Sequence, residues 1–294
     1  MGEAQDADLA LPWGGPRISG RPAPGPRLPW CPVLSDEQLD EFAERGFVLV
    51  PHAVPDDVLG RAGRRLDEVV AADPPTAGTH GNHFYFLPTE DEPALLAPLV
   101  EGPAFRLAEE LAGAGTLEPP VQVQVALNIP PFPHRPGIPH IDAPHAEPSG
   151  EPVRNTFTLL AGVLMTDQLA ENSGNLWVWP GTHLTHAAHF REHGPGSFCA
   201  YPPIELPEPE QITGRAGDLL LAHYLLGHNI GGNYASERTR RALYYRISAA
   251  GHADHREAFL QDPWLDYPAL RSRTASRTAS RTGRPEARRA PEAT

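Results

Sequence analysis

A change of hydrophobic period near residue 115 sets the limits on what this chain can fold into. Before it, apolar residues recur at helical spacing; after it they alternate. Val121-Gln122-Val123-Gln124-Val125-Ala126-Leu127-Asn128 puts Val121, Val123, Val125 and Leu127 on one face. Gln122, Gln124, Ala126 and Asn128 fall on the other, the signature of a strand with one greasy and one polar side. Further strands are expected at 156–165, 176–179, 218–221 and 242–247, punctuated by Gly, Pro and Asn. On the last of these, Arg240, Ala242, Tyr244 and Arg246 share a face.

The first third reads differently. Ser35-Asp36-Glu37-Gln38 matches a capping box, followed by Leu39, Phe42 and Ala43 at helical spacing and a stop at Gly46. A short strand follows over 47–50, then a second helix from Pro55 to about Ala72. Helices first and strands afterwards predict a mainly β fold with flanking helices, its core a jelly-roll. Residues 1–33 form a Pro/Gly-rich arm, 34–270 the folded domain and 271–294 an Arg/Ser/Thr repeat expected to be disordered.

Charge narrows the partners. The 294-residue chain has a net charge of −13 and no lysine. Its last 24 residues carry seven Arg and two Glu, a net of +5 that leaves −18 on the rest. So acidic a body repels nucleic acid and anionic membrane. Two cysteines are too few for a disulfide framework. With no apolar run long enough to span a bilayer, a cytoplasmic protein with a small-molecule partner is expected.

The chemistry-bearing residues lie in the β region. His140 and Asp142, at i and i+2 in an extended segment, point to one side and can grip one cation. A second such pair, His252 and Asp254, follows the last convincing strand and is set aside. The third ligand is His228 or His223. His228 is favoured because the strand breaks there into Gly231-Gly232-Asn233, where a side chain reaches a pocket. Two imidazoles and one carboxylate bind one face of an octahedral Fe(II) and leave the other positions open. A downstream arginine offers a dock for a carboxylate of a co-substrate. His183, His186 and His189 follow a Trp-Pro-Gly turn and read as solvated turn histidines.

Four features together resemble the phytanoyl-CoA dioxygenase family of Fe(II)/2-oxoglutarate-dependent oxygenases. They are the helical start at 34–38, His140-x-Asp142, Glu171-Asn172-Ser173-Gly174-Asn175-Leu176 leading into Pro180-Gly181-Thr182-His183, and Gly217-Asp218-Leu219 leading to His228 and Arg240-Arg241-Ala242. The resemblance implies a double-stranded β-helix (cupin-like) core, with His140, Asp142 and His228 as iron ligands. It gives Arg240 the far carboxylate of 2-oxoglutarate, with Arg238 as competitor and Arg241 facing away. Gln122, Asn128 and Thr158 match positions that border the co-substrate in relatives. The implied cofactors are Fe(II), 2-oxoglutarate and O2. The implied reaction is oxidation, by preference hydroxylation, of an unactivated C–H bond, releasing succinate and CO2. A composition typical of a GC-rich genome tilts the substrate toward a secondary-metabolite intermediate. Two alternatives stay open: a cupin-like isomerase or lyase that does not use 2-oxoglutarate, and a non-catalytic binding protein on the same core.

Overall fold

The structure, a computed structural model, describes residues 33–142 and 156–274. All but residue 33 of the arm expected over 1–33, and most of the tail expected over 271–294, lie outside the described residues.

Helix α1 (Asp36–Arg45) begins with the expected box: the Ser35 hydroxyl accepts from the Gln38 amide, and the Gln38 side chain returns to the Ser35 amide. It ends at Gly46, whose φ of 83° closes the cap. Strand β1 (Phe47–Val50) follows, then α2 (Asp56–Ala72), which buries Val58, Ala62, Leu66 and Val69 along one stripe. Next come β2 (Gly81–Pro88), α3 (Pro93–Val100) and α4 (Ala104–Ala112). The alternating segment forms β3 (Gln122–Ile129). After it lie β4 (Leu159–Leu164), β5 (Leu176–Val178), α5 (Thr182–His193) and β6 (Glu210–Gln211). The series closes with β7 (Leu219–His223), β8 (His228–Ile230), β9 (Arg240–Ile247) and α6 (His252–Gln261).

Two antiparallel sheets result, one of six strands in the order β1-β7-β4-β9-β3-β2 and one of three in the order β6-β5-β8. From β4 onward the chain passes repeatedly between them, so residues distant in sequence meet in the space they enclose. Val123, Val125, Leu243, Tyr245 and Ile247 form the outer face of the large sheet and are fully buried. The helices cover that face: the Tyr245 hydroxyl bonds the Leu95 carbonyl of α3, and Arg241 pairs with Asp67 of α2. The inner face therefore carries Gln124, Ala126 and Asn128 on β3, opposite Tyr244, Ala242 and Arg240 on β9. This is a double-stranded β-helix core. No helix among the described residues is long and apolar enough to cross a membrane.

Two expectations need correction. The ordered chain runs past residue 270: residues 268–274 are helical, and Arg273 bonds Asp40 (2.7 Å) and Asp36 (2.9 Å) of α1. The histidines at 183, 186 and 189 are not in a solvated turn. They lie on α5, where His183, His186, Ala187 and Phe190 make the buried stripe. Read as polar letters they break that stripe, but as neutral rings they pack like aromatics. The His183 ring sits 5.2 Å from His223 and 5.6 Å from Trp264, centroid to centroid.

These rings must stay neutral. His223 donates from Nε2 to the Pro263 carbonyl and accepts the Leu225 amide at Nδ1; His186 bonds the Leu225 carbonyl and the Tyr201 hydroxyl. Burial lowers His186 and His223 to about 4, and His183 well below the usual value. In the unfolded chain the same groups titrate near 6.5. Between those values the unfolded state binds protons that the folded state refuses. Stability is thus complete above pH 6.5 and falls as pH drops toward 4. Each histidine contributes up to about 1.4 kcal/mol per pH unit. Urea unfolding at pH 7.5 and 5.5 should show a clear loss at the lower pH, smaller in His186→Phe. Equal stability at both would contradict this reading.

Candidate metal and co-substrate site

The three residues proposed as ligands converge between the sheets. His140 and His228 face each other in an isolated antiparallel bridge, each donating its amide to the other's carbonyl at 2.9 and 3.0 Å. Their rings lie 4.4 Å apart. Asp142 Oδ1 is 3.2 Å from His140 Nε2 and 3.3 Å from His228 Nε2, so a single carboxylate oxygen faces both imidazoles. His228 Nδ1 lies 3.0 Å from the Leu226 carbonyl. A carbonyl only accepts, so Nδ1 carries a proton and Nε2 is the nitrogen turned to Asp142. Burial alone would lower His228, but the Asp142 carboxylate outweighs it and raises the imidazole above its usual value, so a cation bound at Nε2 would take the place of a proton there. The His140 side chain is 46% exposed while those of Asp142 and His228 are 14% and 11%, leaving one open side.

Burial alone would raise the Asp142 carboxyl. The Arg246 guanidinium, followed by His228, outweighs that and holds it well below the usual carboxylate range. Asp142 is therefore an anion at neutral pH. Its second oxygen, Oδ2, accepts from Arg246 Nη2 at 2.7 Å, and Arg246 Nη1 donates to Gln124 Oε1 at 2.9 Å.

Arg240 begins β9, paired across the sheet with Asn128. It is 2% exposed. Its Nε donates to the Gly174 carbonyl at 2.6 Å and its Nη1 reaches the Ala126 carbonyl at 3.5 Å. Among the described residues, Nη2 is buried with no hydrogen-bond partner. A buried cation with a free donor is costly unless something anionic completes it, so the residue fits a carboxylate dock. Arg238 is exposed in the turn before β9, and Arg241 faces α2.

The ENSGN segment reaches this spot. A Cβ on Gly174, where φ is +82°, would lie 2.8 Å from the Arg240 Cβ and 3.1 Å from the Asn128 Cβ. Gly174→Ala should lift the loop from both residues and cost more than about 1 kcal/mol. Thermal unfolding checks the stability. An unchanged melting temperature would show that the close approach is not required.

The other expected residues divide. Asn128 lies beside Arg240, fully buried and donating to the Gly231 carbonyl at 2.8 Å. Gln122 is half-buried at the start of β3; the bond to Arg246 comes from Gln124, two residues along the same face. Thr158 must be reassigned. Its hydroxyl donates to Asp266 Oδ2 at 2.6 Å, in a network that also joins His252 Nδ1 and His255 Nε2 to Asp266, each at 2.6 Å. That carboxylate draws Thr158 away from the His140 site. The network is the second group among the described residues whose spacing suits a cation. His252 Nε2 meets Thr156 Oγ1 at 2.8 Å, so its donors and acceptors answer one another.

Sequence reasoning passed over Arg246 and Gln124 as site residues. The signal was present: both lie on the inner faces that alternation assigns to β9 and β3.

The fold is shared with solved structures. The non-heme alpha ketoglutarate dependent carbocyclase SnoK from nogalamycin biosynthesis superposes with a TM-score of 0.53 at 19% identity, over 73% of this chain and 83% of that one. HygX from Streptomyces hygroscopicus, solved with nickel and 2-oxoglutarate, gives 0.54 at 15% identity, over 74% and 88%. EctD from S. alaskensis gives 0.51 at 16% identity, over 74% and 78%. No sequence-family description and no curated protein sequence matches the chain.

Proposed function

We propose that the chain is an Fe(II)- and 2-oxoglutarate-dependent oxygenase acting on a C–H bond of a small molecule. One observation carries this reading: a single Asp142 oxygen faces two imidazole Nε2 atoms, and the inner face of β9 that brings Arg246 to Asp142 also carries the buried Arg240, whose Nη2 has no partner among the described residues. SnoK and HygX, which share the fold, are described with alpha ketoglutarate dependence and with bound nickel and 2-oxoglutarate respectively.

His140, Asp142 and His228 would hold the metal, and Arg240 would hold the distal carboxylate of 2-oxoglutarate. Bound there, the metal supplies the oxidising chemistry, coupled to conversion of 2-oxoglutarate to succinate and CO2. The protein's part is positional. The backbone bridge between His140 and His228 fixes the two rings, and the Leu226 carbonyl fixes the tautomer of one. Arg240, anchored on Gly174, sets the depth to which a dicarboxylate can enter. Between the polar residues of the inner wall, Ala126, Ala242, Tyr244 and Leu160 add apolar surface that would limit water near the reacting centre.

An isomerase or lyase on this core would keep the triad but have no use for the Arg240 donor. The substrate we propose is a secondary-metabolite intermediate, as the origin of SnoK in nogalamycin biosynthesis supports by analogy. Succinate formation from 2-oxoglutarate, measured with Fe(II) and O2 present or withheld, tests the reaction class. Succinate that requires both is expected. Full turnover without either would overturn the reading.

A further inference from the structure

We infer that Arg246, braced by Gln124, is a positioning residue that turns Asp142 so that only Oδ1 is offered to a cation. This rests on the metal-site reading above and extends it to residues outside the ligand set.

The geometry is specific. Asp142 Oδ1 stands 3.2 and 3.3 Å from the two imidazole nitrogens, whereas Oδ2 points away and is taken by Arg246 Nη2 at 2.7 Å. The guanidinium is held on further sides. Gln124 Oε1 takes Nη1 at 2.9 Å, and the Phe157 ring lies 5.9 Å from Cζ. The strand pattern explains why. Arg246 is on the inner face of β9 opposite Leu160 of β4, and Gln124 is on the inner face of β3 opposite Tyr244. A planar fork can bond a carboxylate and an amide at once, which a lysine ammonium on a flexible stem does not reproduce. Partners of this kind orient a metal-binding carboxylate and raise the affinity of its site.

Charge and positioning predict opposite effects. A fixed cation so near the site opposes the binding of a second cation. If Arg246 acted only through its charge, removing it would tighten metal binding. If it positions Asp142, removing it weakens binding.

The test is titration of the metal-free protein with Co(II), followed by calorimetry and visible absorption, in wild type, Arg246→Met, Arg246→Lys, Gln124→Met and His140→Ala. We expect the Kd for Co(II) to rise about 10- to 100-fold in Arg246→Met. A smaller rise is expected in Arg246→Lys and Gln124→Met, with Gln124→Met adding little once Arg246 is gone. Equal or tighter binding in Arg246→Met would overturn the inference while leaving the metal site standing. Wild-type cobalt binding that His140→Ala does not weaken would instead remove the metal site itself, and the inference with it. Should Arg246→Met not fold, as judged by circular dichroism, the Arg246→Lys and Gln124→Met titrations decide. Wild-type affinity in both would overturn the proposal.

Discussion

Replacing Asp142 with alanine should abolish metal binding at the triad and reduce turnover to background. Asp142 is the only anion among the three candidate ligands, and it faces both imidazoles through one oxygen. Two neutral imidazoles cannot replace its attraction for a dication. Loss of an outer partner of a metal ligand typically costs 10- to 100-fold in affinity, so loss of the ligand itself should exceed about 100-fold. Asp142→Asn preserves volume and the side-chain oxygen but removes the charge. It separates the two contributions, because a purely steric role would leave it near wild type. The measurement is Fe(II) or Co(II) affinity, with succinate formation as the second readout. An Asp142→Ala protein that binds metal as tightly as wild type would mean that the carboxylate serves only Arg246.

Replacing Arg240 with leucine should leave the metal site intact and weaken 2-oxoglutarate selectively. The side chain is buried, its Nε is anchored on the Gly174 carbonyl and, among the described residues, its Nη2 has no hydrogen-bond partner. A charge-assisted hydrogen bond is worth about 1.5–3 kcal/mol, which converts to roughly a 10- to 150-fold rise in Kd. Arg240→Lys should recover part of this, since it restores charge but not the fork. Calorimetric titration with 2-oxoglutarate reads the effect directly. 2-Oxoglutarate should raise the melting temperature of wild type, and that rise should shrink in Arg240→Leu. Unchanged affinity in this variant, combined with weakened binding in Arg238→Leu, would move the dock into the exposed turn.

What the sequence reveals and hides follows from the range of each interaction. The cap of α1 is visible because Ser35 and Gln38 are three residues apart and satisfy each other. The polar inner face of β3 is visible because alternation is a local property of Gln122 through Asn128. The convergence of His140, Asp142 and His228 could be anticipated only through their order and the β architecture. The Arg246–Asp142 pair is harder still, since 104 residues separate its members and nothing near either one announces the other. Thr158 was misplaced for the same reason: its partner, Asp266, lies 108 residues downstream, beyond the last strand. The histidines of α5 were hidden differently. An imidazole counts as polar in a periodicity argument, yet His183 and His186 are fully buried as neutral rings.

If His140, Asp142 and His228 form a metal centre and Arg240 the dock for the co-substrate's far carboxylate, one ligand must engage both. Anaerobic titration of the metal-free protein with Fe(II) and then 2-oxoglutarate tests both parts at once, through the weak visible charge-transfer band that 2-oxoglutarate gives when it chelates ferrous iron. A band is expected in wild type, none in His140→Ala, and one in Arg240→Leu that requires far more 2-oxoglutarate. Bound iron that gives no band at any 2-oxoglutarate concentration would contradict that expectation.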